Sequence, residues 1–233
     1  MLQTLVALVA ASGVPVSPPQ AAQSFSRKVS VTVSGRYQLS LPEGYESGRE
    51  RYPLLLFLHG AGERGDDLER AGIHGPLKEI RKGRKLPFIV VAPLCPSDMA
   101  WDPLMLSGLL DEVESKWRVD KDREYVTGLS LGGFGTYTLA SFSPKRFAAI
   151  APIAGWASRW IASTIKEIPI WSTHGDADPA VPLDQEAPLI AALKEAGADV
   201  RFDVIAGGTH DVWSDVYAGD ALYAWLLEHR RKR

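Results

Sequence analysis

The chain has 233 residues, enough for one large domain or two small ones. Hydrophobic residues make up 45% and charged residues 23%, which excludes a disordered or collagen-like chain. A net charge of −2 gives no electrostatic reason to expect nucleic acid as the main partner, and the single cysteine, Cys95, excludes an intrachain disulfide framework and a multi-cysteine metal site.

Leu2 to Val16 is apolar, and Val14-Pro15-Val16-Ser17-Pro18-Pro19 interrupts it. The run is too short to span a bilayer as a helix, so no transmembrane segment is expected. Two readings stay open for residues 1–25: a weak export signal with its cleavage region near Ser17 to Ala22, or a loosely packed N-terminal extension. The first basic residue is Arg27, so the positive start of an export signal is missing. The sequence thus leaves both a cytoplasmic and an exported protein open.

From residue 26 to 233 no Pro/Gly/Ser linker divides the chain, and one domain is expected. Val29, Val31 and Val33 alternate with polar residues, which predicts a half-buried strand over 27–33. Ser34-Gly35 predicts a turn, and residues 36–41 a second strand closing an N-terminal antiparallel hairpin. Leu54 to Leu58 and Phe88 to Ala92 are continuous apolar runs, suited to parallel strands buried on both faces. Residues 104–117 show helical spacing, with Leu106, Leu109, Leu110, Val113 and Trp117 on one face. Residues 124–129 predict a strand and 132–142 a helix. Strands are expected over 148–154, 168–173 and 200–206, and helices over 183–196 and 221–228. The charged tail, His229 to Arg233, is expected to fray. A hairpin followed by alternating strands and helices predicts an α/β fold, with a mostly parallel central sheet and helices on both faces.

In such sheets the chemistry gathers at the carboxyl ends of strands. Gly128-Leu129-Ser130-Leu131-Gly132-Gly133 fits G-x-S-x-G between a predicted strand and a predicted helix, the context of a nucleophile elbow. A serine on so sharp a turn needs neighbours with little side chain, and the helix N-terminus helps stabilise negative charge. Ser130 is therefore the candidate nucleophile. A serine hydroxyl needs a base at neutral pH. Of the five histidines, His210 follows the last predicted strand in the glycine-rich Gly207-Gly208-Thr209-His210 and is the candidate base. His174 opens the loop before Asp178 and reads as its brace, and His229 lies in the basic tail. The acid that orients the base comes from Asp176, Asp178 or, slightly beyond, Asp184. The chain order Ser, Asp, His is that of α/β-hydrolases and not that of chymotrypsin-like or subtilisin-like chains.

Over roughly residues 27–230 the chain resembles an α/β-hydrolase of the esterase and prolyl-oligopeptidase-like catalytic-domain group. The resemblance rests on Leu58-His59-Gly60-Ala61-Gly62-Glu63-Arg64-Gly65, on the elbow, on His174 to Pro182 and on Gly208-Thr209-His210. In relatives the third motif reads H-G-x-x-D-x-x-V-P, which implies Asp178 as the acid. It also implies an oxyanion hole formed by the backbone N–H groups of Leu131 and Ala61, with Gly62 as the alternative to Ala61. Relatives often carry Met where Leu131 stands, a departure that leaves the backbone donor intact.

Two other readings compete locally. Gly60 to Gly65 fits the dinucleotide pattern G-x-G-x-x-G, but no helix opens at the glycines and Glu79 lies in a basic, helix-like stretch. Cys95 follows a different strand from the elbow, so a cysteine nucleophile is not expected. Neither a cofactor nor a catalytic metal is expected. Only residues 155–167 join two of the strands where many relatives insert a cap, so no large cap domain and an open site are expected. Gly62, Trp101 and Trp156 are candidates to line the pocket. The expected function is a serine carboxylesterase acting on short-chain or accessible esters, small or polymer-linked, through an acyl-enzyme. The alternatives are a feruloyl or carbohydrate esterase, a small serine peptidase, an acyltransferase or a non-catalytic binding protein. The intact Ser, Asp and His set argues against the last.

Overall fold

The computed structural model describes residues 22 and 24–231. The chain up to Thr32 separates as its own unit, in which the described residues hold no helix or strand. The apolar segment 2–16, with both of its readings, lies outside the described residues. Val33 onward forms the second unit, which holds every strand and helix named below.

Among its described residues seven strands form one sheet. They are β1 (Tyr37–Ser40), β2 (Tyr52–Leu58), β3 (Ile89–Pro93), β4 (Val119–Leu129), β5 (Ala149–Ile153), β6 (Ile170–Gly175) and β7 (Val200–Ile205). Their spatial order is β1-β3-β2-β4-β5-β6-β7, with β1 antiparallel to β3 and every other pair parallel. The helices are α1 (Gly75–Arg81), α2 (Pro103–Lys116), α3 (Leu131–Phe142), α4 (Ala162–Ile165), α5 (Ala187–Glu195), α6 (Trp213–Ala218) and α7 (Ala221–Glu228). This is the expected α/β-hydrolase architecture.

The apolar runs explain how the layers meet. Successive side chains of a strand point to opposite faces. Leu54, Leu56 and Leu58 pack with α2, α3 and α5 on one face. Leu55 and Phe57 pack with α1, α6 and α7 on the other. All five are fully buried, and full burial of such a side chain contributes about 1.5–3 kcal/mol.

Two expectations are corrected. Residues 27–33 form no strand, so the N-terminal hairpin is absent. The antiparallel element exists, but β1 makes it by pairing with β3, Tyr37 opposite Pro93 and Ser40 opposite Val90. Val29 and Val31 remain 74% and 64% exposed, so their alternation covers no apolar face. A lone two-stranded ribbon is marginal in water, whereas β1 adds to the edge of an existing sheet. The tail also differs from expectation in its described part. Tyr125 donates to the His229 carbonyl at 2.8 Å, the Arg231 N–H donates to the Asp122 carbonyl at 2.8 Å, and Arg230 pairs with Asp120.

The strand order sets the position of the site. After β2 the chain moves outward to β3, then crosses back to lay β4 on the other side of β2. That reversal leaves a crevice beyond the carboxyl ends of β2 and β4, where loops from adjacent strands diverge. Leu58 lies opposite Gly128 at this end, so the segment starting at His59 and the turn at Ser130 are neighbours.

Candidate active site

Ser130 joins β4 to α3 with φ 54° and ψ −118°, in the left-handed half of the map that a non-glycine residue rarely adopts. Such a conformation costs about 1–3 kcal/mol and persists only where its surroundings enforce it. The Ser130 N–H donates to the Ile153 carbonyl at 2.9 Å, and its own carbonyl accepts from the Phe134 N–H at 3.1 Å. The glycines around it allow close approach. A Cβ on Gly132 would overlap the Leu58 carbonyl, and one on Gly133 would lie 2.7 Å from the Gly155 Cα. The helix can therefore start directly against β2 and β5, with Ser130 held above the sheet.

The structure brings Ser130, His210 and Asp178 together from three strand ends. Their hydrogen bonds run in line: His210 Nε2 lies 2.9 Å from Ser130 Oγ, and His210 Nδ1 lies 2.6 Å from Asp178 Oδ2. With the proton on Nδ1 donated to Asp178, Nε2 is free to accept the serine proton. Trp213 meets the His210 ring edge to face, 5.0 Å between centroids, and restricts its rotation. Asp178 is buried, and its other oxygen, Oδ1, accepts the N–H groups of Ala180 and Val181 at 2.8 and 2.9 Å. Burial alone would raise its pKa. The bonds from His210, Val181 and Ala180 outweigh that and hold the carboxyl below its usual range. Asp178 thus remains an acceptor through the neutral range. Asp176 has a different partner: it accepts the Gly207 N–H at 2.7 Å and ties the two loops together. Asp184 lies in a short 3-10 turn, Leu183–Gln185.

Ala61 and Leu131 both open helical turns, Ala61 the 3-10 turn Ala61–Glu63 and Leu131 helix α3. The first N–H of such a turn has no acceptor within it. The two turns follow adjacent strands, and a Cβ on Gly60 would lie 3.6 Å from the Ser130 Cβ. The rest of the loop is fixed by its own side chains. Glu63 accepts the Gly60 N–H at 2.9 Å, Arg64 Nε donates to the Ala61 carbonyl at 3.1 Å, and Arg70 donates to the Gly62 carbonyl. The buried His59 donates from Nδ1 to the Gly60 carbonyl at 2.7 Å and accepts the Cys95 N–H on Nε2 at 3.0 Å. Burial lowers the pKa of His59, which suits this neutral tautomer.

The candidate pocket residues fare differently. Trp101 is buried, donates from Nε1 to the His59 carbonyl at 3.1 Å and packs against the His59 ring. It supports the loop from behind, its ring packed into the core. Trp156 is half-buried and stacked on Phe134, with centroids 5.1 Å apart. Gly62 is exposed, with open space where a Cβ would be. Cys95 is buried, its Sγ 3.4 Å from the Met99 carbonyl, and burial raises its thiol pKa. Glu63, His59 and Trp213 escaped sequence reasoning as supports of the site. The nearest local signal was the capping pattern of Glu63, three residues after Gly60.

The connection from β5 to β6 holds only the 3-10 turn Arg159–Ile161 and the single-turn α4. Among the described residues no group of three His, Cys, Asp or Glu side chains is placed to hold a metal ion, and no helix is long and apolar enough to cross a membrane.

Comparison with known proteins adds an independent line. The model of the family described as "Putative esterase" matches residues 30–195, which includes Ser130 and Asp178 but stops before His210. "Putative esterase NocK" of Nocardia uniformis subsp. tsuyamanensis is 30% identical over 187 residues, 73% of this chain and 54% of that protein. "Probable feruloyl esterase C" of Aspergillus terreus is 27% identical over 159 residues, 65% of this chain and 58% of that one. The chain thus spans about half the length of the curated relatives it matches. Among solved structures, a thermostable esterase superposes with a TM-score of 0.73 at 30% identity, covering 84% of this chain and 59% of that one.

Proposed function

The chain belongs to the esterase family of α/β-hydrolases, and from that premise we propose that it is a serine carboxylesterase working through an acyl-enzyme. The observation that carries the proposal is the unbroken run of hydrogen bonds from Ser130 Oγ through His210 to Asp178. In this reading Ser130 attacks the ester carbonyl while His210 Nε2 takes its proton. Asp178 holds the imidazole in one tautomer and stabilises its charged form. The N–H groups of Ala61 and Leu131 receive the oxyanion, with the positive end of the α3 dipole beneath it. His210 then protonates the leaving alcohol, and water releases the acyl group by the same steps in reverse.

Short or accessible esters are the proposed substrates. Ala61 is exposed, and Ser130, Leu131 and His210 are half-exposed, which suits an open site, with no lid over it among the described residues. The test is hydrolysis of p-nitrophenyl esters from acetate to laurate. Best rates on the short esters support the reading, and a long-chain optimum contradicts it. A feruloyl ester is the second reading, favoured by the relatives' names and by the half-buried Phe134–Trp156 stack beside the elbow. In that case Trp156→Ala raises KM for methyl ferulate more than for p-nitrophenyl acetate.

Ala61→Pro isolates the oxyanion hole. The substitution deletes one backbone N–H at the first position of a helical turn, where the fixed φ of proline is welcome. Gly60 before it is extended, φ −80° and ψ −179°, as a residue preceding proline prefers. We expect kcat to fall about 100- to 1000-fold with the melting temperature nearly unchanged. An unchanged kcat would remove Ala61 from the oxyanion hole.

A further inference from the structure

The polar chain continues behind the triad. His174 is fully buried on β6. Its Nδ1 lies 2.6 Å from Glu186 Oε2, and its Nε2 lies 2.8 Å from the Val181 carbonyl oxygen and 3.5 Å from Asp178 Oδ2. Glu186, just before α5, is fully buried too, and its second oxygen accepts the hydroxyls of Tyr137 (2.7 Å) and Ser172 (2.6 Å). Asp178 Oδ2 is the same oxygen that accepts from His210.

The geometry bears on the proton count. A carbonyl oxygen has no proton to give, so Nε2 must carry one. Nδ1 faces a carboxylate already supplied with two hydroxyl donors, so a proton on Nδ1 completes the bonding. The ring then carries a positive charge between two carboxylates, an arrangement that offsets the cost of burying it. The groups facing His174 are Glu186 from the start of α5, Asp178 and the Val181 carbonyl from the loop after β6, and, through Glu186, Ser172 of β6 and Tyr137 of α3.

We infer that His174 is a positioning residue for the reaction: a buried imidazolium, anchored by Glu186, that fixes the Asp178 carboxylate behind His210 and shares its negative charge. The inference rests on the triad reading above. The direction of the His174 pKa agrees. Burial alone would lower it, but the bonds to Glu186 and Val181 and the charges of Glu186 and Asp178 outweigh burial and raise it. A neutral side chain at position 174 would leave the whole charge of Asp178 to His210. Asp178 would then hold a doubly protonated His210 more firmly, and the acid limb of the kcat/KM profile would move to higher pH. One charge at this range is worth about one pH unit.

Two measurements test this. The first is the long-range proton–nitrogen spectrum of the full chain carrying nitrogen-15 histidine, at about pH 8, where an ordinary histidine is neutral. The His174 signals are identified by their loss in His174→Gln. The same spectrum is recorded on Ser130→Ala, so it does not depend on turnover. Two protonated nitrogens on His174 are expected, and one bare nitrogen would overturn the inference. The second is the pH profile of Glu186→Gln. Its amide oxygen still accepts from Tyr137 and Ser172, so the change removes charge more than shape. The expected result is a kcat about 10-fold lower, KM little changed and the acid limb moved up by about one pH unit. A lower kcat with the acid limb unmoved would reduce His174 and Glu186 to packing. If the wild type hydrolyses no ester, the triad reading fails while the spectrum still decides the charge on His174. If it hydrolyses esters and His174 is neutral, this inference alone fails.

Discussion

Ser130→Ala is expected to lower kcat/KM for p-nitrophenyl acetate by about 10⁴-fold or more, with the fold intact. The substitution removes only Oγ, which is hydrogen-bonded to His210 and to nothing in the core. Alanine must still adopt φ 54° at that position, but the bonds that enforce the turn come from the Ser130 backbone to Ile153 and Phe134. The residual rate should be nearly the same in Ser130→Ala, His210→Ala and the double variant. Residues that act as one unit lose most of the effect at the first substitution, and what remains comes from the oxyanion donors and binding. Multiplicative losses in the double variant would mean that Ser130 and His210 do not share one step.

Gly132→Ala is expected to have the largest effect on stability, a loss of about 3 kcal/mol or more. The added methyl would overlap the carbonyl oxygen of Leu58 and press on that of His59. Both are backbone atoms at the end of β2, which is hydrogen-bonded to β3 and β4 on either side. Neither can move aside without shifting the centre of the sheet. For a domain of this size the loss corresponds to a melting temperature about 10 °C lower. Gly62→Ala is the control. Its Cβ would meet open space, so the melting temperature should stay within about 2 °C. Thermal unfolding of the two variants side by side checks both statements. Equal melting temperatures would mean that α3 does not start against β2 as closely as described.

What could be read from sequence follows from how locally each feature is encoded. The turn at Ser130 was legible because a serine on a strained strand-to-helix turn imposes demands on its immediate neighbours, and Gly128, Gly132 and Gly133 answer them. The central strands were legible because Leu54 to Leu58 and Ile89 to Ala92 are apolar on both faces. The choice between Asp176 and Asp178 was not set by local pattern, since two residues of spacing fit either. The folded loop separates them: Asp176 bonds to Gly207, whereas Asp178 turns inward to His210. Helix α6 was missed because six residues are too few for a helical period, although the Asp211 side chain just before it accepts from the N–H and hydroxyl of Ser214. Trp213 and Glu186 were invisible as neighbours of the two histidines, because only the folded chain makes their contacts with His210 and His174. The hairpin failed for the opposite reason. The alternation of Val29, Val31 and Val33 is real, but a strand also needs a partner and a face to cover.

The central claim is that Ser130 is the covalent nucleophile of an ester hydrolase. A serine-directed fluorophosphonate, added in slight excess to the full chain and followed by peptide mass mapping, tests it most directly. The account predicts one adduct per chain, on the peptide containing Ser130, with hydrolysis of p-nitrophenyl acetate lost in step with labelling and no labelling of His210→Ala on the same time scale. Hydrolysis that survives full labelling, or an adduct on another residue, would contradict it.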